Sequence, residues 1–129
     1  MFQTGADAVD IFVINKNTNL PIYITGSGFG EKPAFAFQVD CWKGLVWRVI
    51  QKRDLVCLPN IWIDSASLVR RTAFEHYNFI SYQGIPLANN GKILGVLEAF
   101  HCQEFSPDLA WFNNFRSLSD QVSQILDLS

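Results

Sequence analysis

Between Ile80 and His101 the chain reads ISYQGIPLANNGKILGVLEAFH, with apolar stretches Ile85 to Ala88 and Ile93 to Phe100 divided by Asn90-Gly91. Asn-Gly offers two residues that both tolerate positive φ, as a two-residue type I′ turn requires, so the segment predicts a β-hairpin. The run Ile93 to Leu97 is apolar at successive positions rather than alternate ones. Its strand is therefore expected inside a sheet that is covered on both faces. Upstream, Val9 to Ile14 alternates well enough for a first strand, Asn15 to Asn19 is a polar loop, and Leu20 to Thr25 is a second strand, giving another hairpin. Leu55 to Leu58 reads as a third strand. The glycine-rich Gly26-Ser27-Gly28-Phe29-Gly30 lacks the Lys-Ser/Thr of a phosphate loop and opens no helix, since Pro33 begins an extended stretch; it reads as a turn.

Helical spacing marks three further segments. Val39 to Asp54 is expected to include a short helix with Leu45, Val46, Val49 and Ile50 inward, ending near Lys52-Arg53, whose charges suit a helix C-terminus. A second short helix is expected from about Ser67 to Tyr77. The last begins at Ser106-Pro107-Asp108, with Ser as N-cap and Pro at the first helical position. Its stripe is Leu109, Phe112, Phe115, Leu118, Val122, Ile125 and Leu126, with Trp111 beside it. Together these elements predict an α/β domain, an antiparallel sheet of about five or six strands flanked by helices.

A chain of 129 residues is expected to form one domain, and at that size roughly two thirds of the unfolded surface is buried, enough for a core without staples. The net charge is −2 and the basic residues are dispersed apart from Lys52-Arg53 and Arg70-Arg71, so no electrostatic footprint for nucleic acid is present. No apolar run reaches the roughly 18 residues that span a bilayer, and the start lacks a secretory signal pattern, so a cytoplasmic location is expected. The three cysteines, Cys41, Cys57 and Cys102, have no metal-binding spacing and are expected to be reduced, with Cys57 in the core. Around His76 and His101 there is no nucleophile motif, and Asp64-Ser65, Glu75 and Glu98 have no spacing that fixes acid-base geometry. Glu98 stands out because it interrupts a strand expected to be buried, where a carboxylate needs a cation or several donors. Arg70 or Arg71 is the expected partner.

Several motifs in order resemble the GAF domain of bacterial signalling proteins, as attached to HD-GYP phosphodiesterases and histidine kinases. They are Thr4-Gly5-Ala6-Asp7-Ala8 leading into Val9 to Phe12, then Leu58-Pro59-Asn60-Ile61, Arg70-Arg71 through Tyr82-Gln83-Gly84-Ile85-Pro86-Leu87, Gly91 through His101, and Phe105-Ser106-Pro107-Asp108 before a helix. The resemblance implies a profilin-like, PAS-related fold and a small-molecule-sensing regulatory domain. It also implies a homodimer through terminal helices, a covalently linked output domain, and a chain that is a piece of a longer protein lacking most of its first helix. Surplus apolar residues such as Trp111, Leu118 or Leu128 are candidates for the dimer interface. Where the family has a glycine-rich approach to its middle helix, this chain has Trp42-Lys43-Gly44-Leu45-Val46-Trp47, whose indoles either fill the ligand cavity or wall it. By chemistry and family position the expected ligand-binding residues are Trp42, Arg70, Phe74, Tyr77, Tyr82 and Glu98, with no catalytic or metal site and the ligand or cofactor unknown. Two other readings stay open: a structural dimerisation domain without ligand, and a GAF-fold methionine sulfoxide reductase with Cys41 as the candidate nucleophile. His101-Cys102 reverses the Cys-His order by which phytochrome relatives attach a bilin, which argues against a chromophore.

Overall fold

The strand that is apolar on both faces becomes the third of five in an antiparallel sheet of order β2-β1-β5-β4-β3. In the computed structural model, which describes residues 5–29, 44–63 and 71–127, the strands are β1 (Ala8–Ile14), β2 (Pro21–Ser27), β3 (Val56–Leu58), β4 (Ser81–Asn89) and β5 (Lys92–His101). The helices among the described residues are α1 (Leu45–Lys52), α2 (Arg71–Tyr77) and α3 (Leu109–Asp127), with a 3₁₀ turn at Ile61–Ile63. β4 and β5 form the expected hairpin, and Asn90 and Gly91 take φ of 54° and 76°, the left-handed pair that a type I′ turn demands. Gly26 and Ser27 continue β2, and the chain then bends at Gly28 and Phe29. Gly30, the first helical segment as far as Lys43, and Ser67 to Arg70 of the second lie outside the described residues.

Because side chains alternate across a sheet, β5 feeds two cores. Val96 and Phe100 join Phe12, Val49, Phe74, Phe79 and Tyr82 under α1 and α2, while Leu97 and Ala99 join Ile85, Leu87 and Phe115 under α3. Each large apolar side chain so buried contributes about 1.5–3 kcal/mol. Leu45, Val46 and Val49 are buried, as the spacing predicts, and Arg53 caps α1 in the left-handed conformation with its N–H on the Val49 carbonyl. The Arg53 guanidinium donates to the Gly91 carbonyl at 2.6 Å and so pins the hairpin tip to α1.

Two expectations need correction at α3. Its first turn is capped by Asp108, whose carboxylate accepts the Trp111 N–H at 2.8 Å and whose carbonyl accepts from Phe112 at 3.1 Å. The cap therefore lies two residues beyond Ser106, because a carboxylate is a strong acceptor and also complements the helix dipole. The buried stripe is also rotated. Phe115, Ser119 and Ser123 are buried, flanked by Trp111, Leu118, Val122 and Leu126, while Leu109 and Ile125 are 75% and 66% exposed. Small serines let the helix lie close to the sheet, and Ser123 satisfies its hydroxyl on the Ser119 carbonyl at 2.6 Å. Trp111 and Leu118 are half-buried, each packing partly against the core, and Leu128 lies outside the described residues.

We expect Asp108→Ala to cost about 1 kcal/mol in urea unfolding and Ser106→Ala to be close to neutral. Equal losses at both positions would return the cap to Ser106.

Candidate functional site

On the α1/α2 face, the inward positions of β1 are Ala8, Asp10 and Phe12, and the antiparallel register sets Asp10 directly opposite Glu98 of β5. Both carboxylates are buried, Asp10 at 1% exposure and Glu98 at 0%. Like charges facing each other across a ladder repel, and each loses hydration, so the pair is stable only with donors, protons or a cation close by. Tyr82 of β4 supplies one donor, its hydroxyl on Glu98 Oε2 at 2.5 Å. Gly84, opposite Glu98 on the other side, leaves the space in which that hydroxyl and Val49 sit; a Cβ there would collide with both. Tyr23 of β2 adds another hydroxyl nearby. Burial raises its pKa, and the charges of Asp10 and then Tyr77 raise it further, so Tyr23 stays a neutral donor at neutral pH.

Aromatic rings surround this polar centre. Phe79 stacks on Phe100 with centroids 4.6 Å apart and on Tyr77 at 5.4 Å. Phe74 and Tyr82 lie 5.5 Å and 5.4 Å from Phe100, and Phe29 meets Tyr77, Phe79 and Phe100 edge-on. Trp62 of the 3₁₀ turn donates its indole N–H to the Phe79 carbonyl at 3.1 Å. Four of the expected residues, Phe74, Tyr77, Tyr82 and Glu98, therefore meet on one face. Trp42 and Arg70 lie outside the described residues, as do Cys41 and Asp64-Ser65. Arg71 is not the partner of Glu98: it is exposed and bonds Glu75 one helical turn away at 2.7 Å. Asp10 and Tyr23 went unrecognised in the sequence. The signal for Asp10 is its place between Ala8 and Phe12 on the side of β1 that had to face inward.

The remaining reactive side chains lie elsewhere. His101 is 5% exposed on the α3 face, stacked 3.9 Å from Phe105, and its ring nitrogens find no hydrogen-bond partner among the described residues. Burial lowers its pKa, against a smaller opposing pull from Asp7. Cys102 is exposed, is in no group of three or more potential metal ligands among the described residues, and donates to the Tyr77 carbonyl at 3.4 Å. Packing around its sulfur raises its pKa, and the charge and hydrogen bond of Asp7 raise it further. Cys57 is half-buried rather than fully in the core. Its thiol is also pushed up by burial, more than Gln83 and Lys52 pull it down. Both shifts run opposite to those of an activated thiol nucleophile.

This architecture has known counterparts. The GAF domain family matches residues 3–126. The chain belongs to the GAF domain family. Among solved structures it is similar to the GAF domain of an Acinetobacter phosphoenolpyruvate-protein phosphotransferase, at 20% identity and TM-score 0.76 over 95% of this chain and 72% of that one. It is also similar to the GAF domain of a Bacillus halodurans two-component sensor histidine kinase, at 13% identity and TM-score 0.76 over 95% and 82%. A third is the type II free methionine-R-sulfoxide reductase of Thermoplasma acidophilum, at 14% identity and TM-score 0.77 over 94% and 79%. At these identities the likeness is one of fold. No curated protein matches the chain by sequence. GAF domains are commonly sensory or regulatory modules of signalling proteins, and no helix among the described residues of this one is long and apolar enough to cross a membrane.

Tyr82→Phe should destabilise the domain by about 2 kcal/mol, because it strips a donor from a buried carboxylate. A loss below about 0.5 kcal/mol on denaturant unfolding would mean that Glu98 does not depend on Tyr82. His101 gives a pH prediction. Its folded pKa lies below the unfolded value, so its contribution is complete above about pH 6.5 and falls as pH drops below that. Unfolding at pH 8 and pH 5.5 should show this slope, and His101→Gln should flatten it. Alkylation of Cys57 and Cys102 by iodoacetamide should be slow at pH 7 and rise only above the pH where an ordinary thiol reacts.

Proposed function

We propose that this GAF domain is the small-molecule-sensing regulatory domain of a signal-transduction protein, with its ligand on the α1/α2 face. The observation that carries the reading is the buried Asp10–Glu98 pair beside the Tyr82 hydroxyl. Two adjacent carboxylates in an aromatic surround suit a ligand that brings positive charge or several N–H donors, held between apolar rings. Phe74, Tyr77, Tyr82 and Glu98 would contact it, with Trp42 and Arg70 as further candidates. A ligand that binds one arrangement of α1 and α2 better than another shifts that equilibrium. α3 packs on the back of the same sheet and would pass the shift to a linked output domain, in a homodimer built through terminal helices. A regulatory rather than catalytic role and a cytoplasmic setting go with this reading, and the raised pKa of both described thiols weighs against reductase chemistry at those positions.

A second reading has an observation of its own. Phe29, Phe74, Phe79 and Phe100 already pack against one another with centroids 4.6–6.3 Å apart. Aromatic filling of this kind favours a structural dimerisation domain that needs no ligand.

Native mass spectrometry of the purified protein separates the two. A retained extra mass that is lost on denaturation, and lost again in a folded Glu98→Gln variant, is the expected result for a sensor. A bare protein whose oligomeric state is unchanged by Glu98→Gln would sink the ligand reading.

A further inference from the structure

A separate cavity opens at the opposite rim of the sheet. The β1–β5 ladder stops at Val13 and Gly95, yet both hairpins run on, Ile14 still pairing with Pro21 and Asn89 with Lys92. At the root of this fork the strands approach closely, because a Cβ on Gly95 would run into the Phe12 carbonyl. Beyond it they part. Each hairpin carries a bulge near the fork, with Ile24 the extra residue on β2 and Leu94 the extra residue on β5. Bulges bend strands and re-aim side chains, and they occur often beside binding sites. The result is a cleft of about 430 Å³ between the hairpins, walled by Ile14, Leu94 and, from α1, Trp47 and Ile50.

Lys16 from the β1–β2 loop and Lys92 from the β4–β5 hairpin also line this cleft, and among its described lining residues none is acidic. The two loops that carry the lysines are held in place. Asn15 folds the first through its side-chain oxygen, which accepts the N–H of Asn17 at 2.8 Å and of Thr18 at 3.1 Å. Arg53 fixes the second at Gly91. The cleft is thus a largely apolar slot with Trp47 on one wall and a lysine from each of two loops at its lining. That size and lining suit a small molecule, with the apolar body in the slot and polar contacts few and at defined points.

We infer that the cleft binds a small planar aromatic carboxylate, its ring against Trp47 and the aliphatic walls and its carboxylate between Lys16 and Lys92. The site is distinct from the Asp10–Glu98 face and calls for the opposite ligand charge. Leu126 at the end of α3 also lines the cleft, so an occupant would touch the terminal helix directly.

The test titrates 2-naphthoate into the ¹⁵N-labelled protein, with 2-naphthalenemethanol as a neutral probe of nearly the same shape. The expected result is saturable amide shifts in residues 14–19, 47–50 and 91–94 with naphthoate. The alcohol, and separately the Lys16→Gln/Lys92→Gln variant, should each bind about tenfold more weakly, the equivalent of losing two exposed ion pairs. The variant's own spectrum reports that it is folded, since both lysines are exposed. The inference is overturned by an absence of saturable shifts, by equal binding of acid and alcohol, by undiminished binding to the variant, or by shifts confined to Asp10, Tyr82 and Glu98.

Discussion

β5 cannot move without breaking both cores. It is hydrogen-bonded to β1 on one side and β4 on the other, and its alternate residues enter two different hydrophobic clusters. A one-residue slip would carry Val96 and Phe100 to α3 and expose the α1/α2 face to Leu97 and Ala99. The same register sets Asp10 against Glu98, so the polar centre of the domain is a by-product of pairing that the apolar residues enforce. A fold held this rigidly can carry an unfavourable carboxylate pair, because several large buried side chains outweigh it.

The two faces of the sheet solve different problems. Toward α3, small serines and aliphatic residues bring a long helix close, and burial lowers the pKa of His101 against a smaller pull from Asp7. Toward α1 and α2, short helices cover an aromatic cluster that encloses acids and tyrosine hydroxyls. One long helix covers one side of the sheet and short, separately connected pieces cover the other.

Much of the fold was legible along the chain, because alternation, the Asn-Gly turn and the run of apolar residues in β5 are local signals. The errors came where two local signals competed or where the answer was not local. Ser106 and Asp108 are both good N-caps around a proline, and only the geometry of the first turn decides between them. Arg71 looked available to Glu98 until its neighbour Glu75, one turn along, took it. Asp10 and Glu98 are far apart in sequence and meet only through the β1–β5 register, which no periodicity reports. The cleft is less legible still, since it arises from two bulges and the point at which a ladder ends.

Asp7 ties the start of the sheet to the end of β5, with its N–H on the Phe100 carbonyl at 2.9 Å and its carboxylate on the Cys102 N–H at 2.7 Å. α3 begins shortly after that rim and finishes at the other, where Leu126 meets the hairpin cleft. The path of the chain therefore enters the sheet at one end and leaves α3 at the opposite end. Because β1 starts and β5 ends at the same rim, Ala8 opposite Phe100, tension applied between those points would reach β5 only through α3, and the packing of α3 on the sheet would carry the load in shear. The grip of α3 on the sheet would then set the force at which the domain yields.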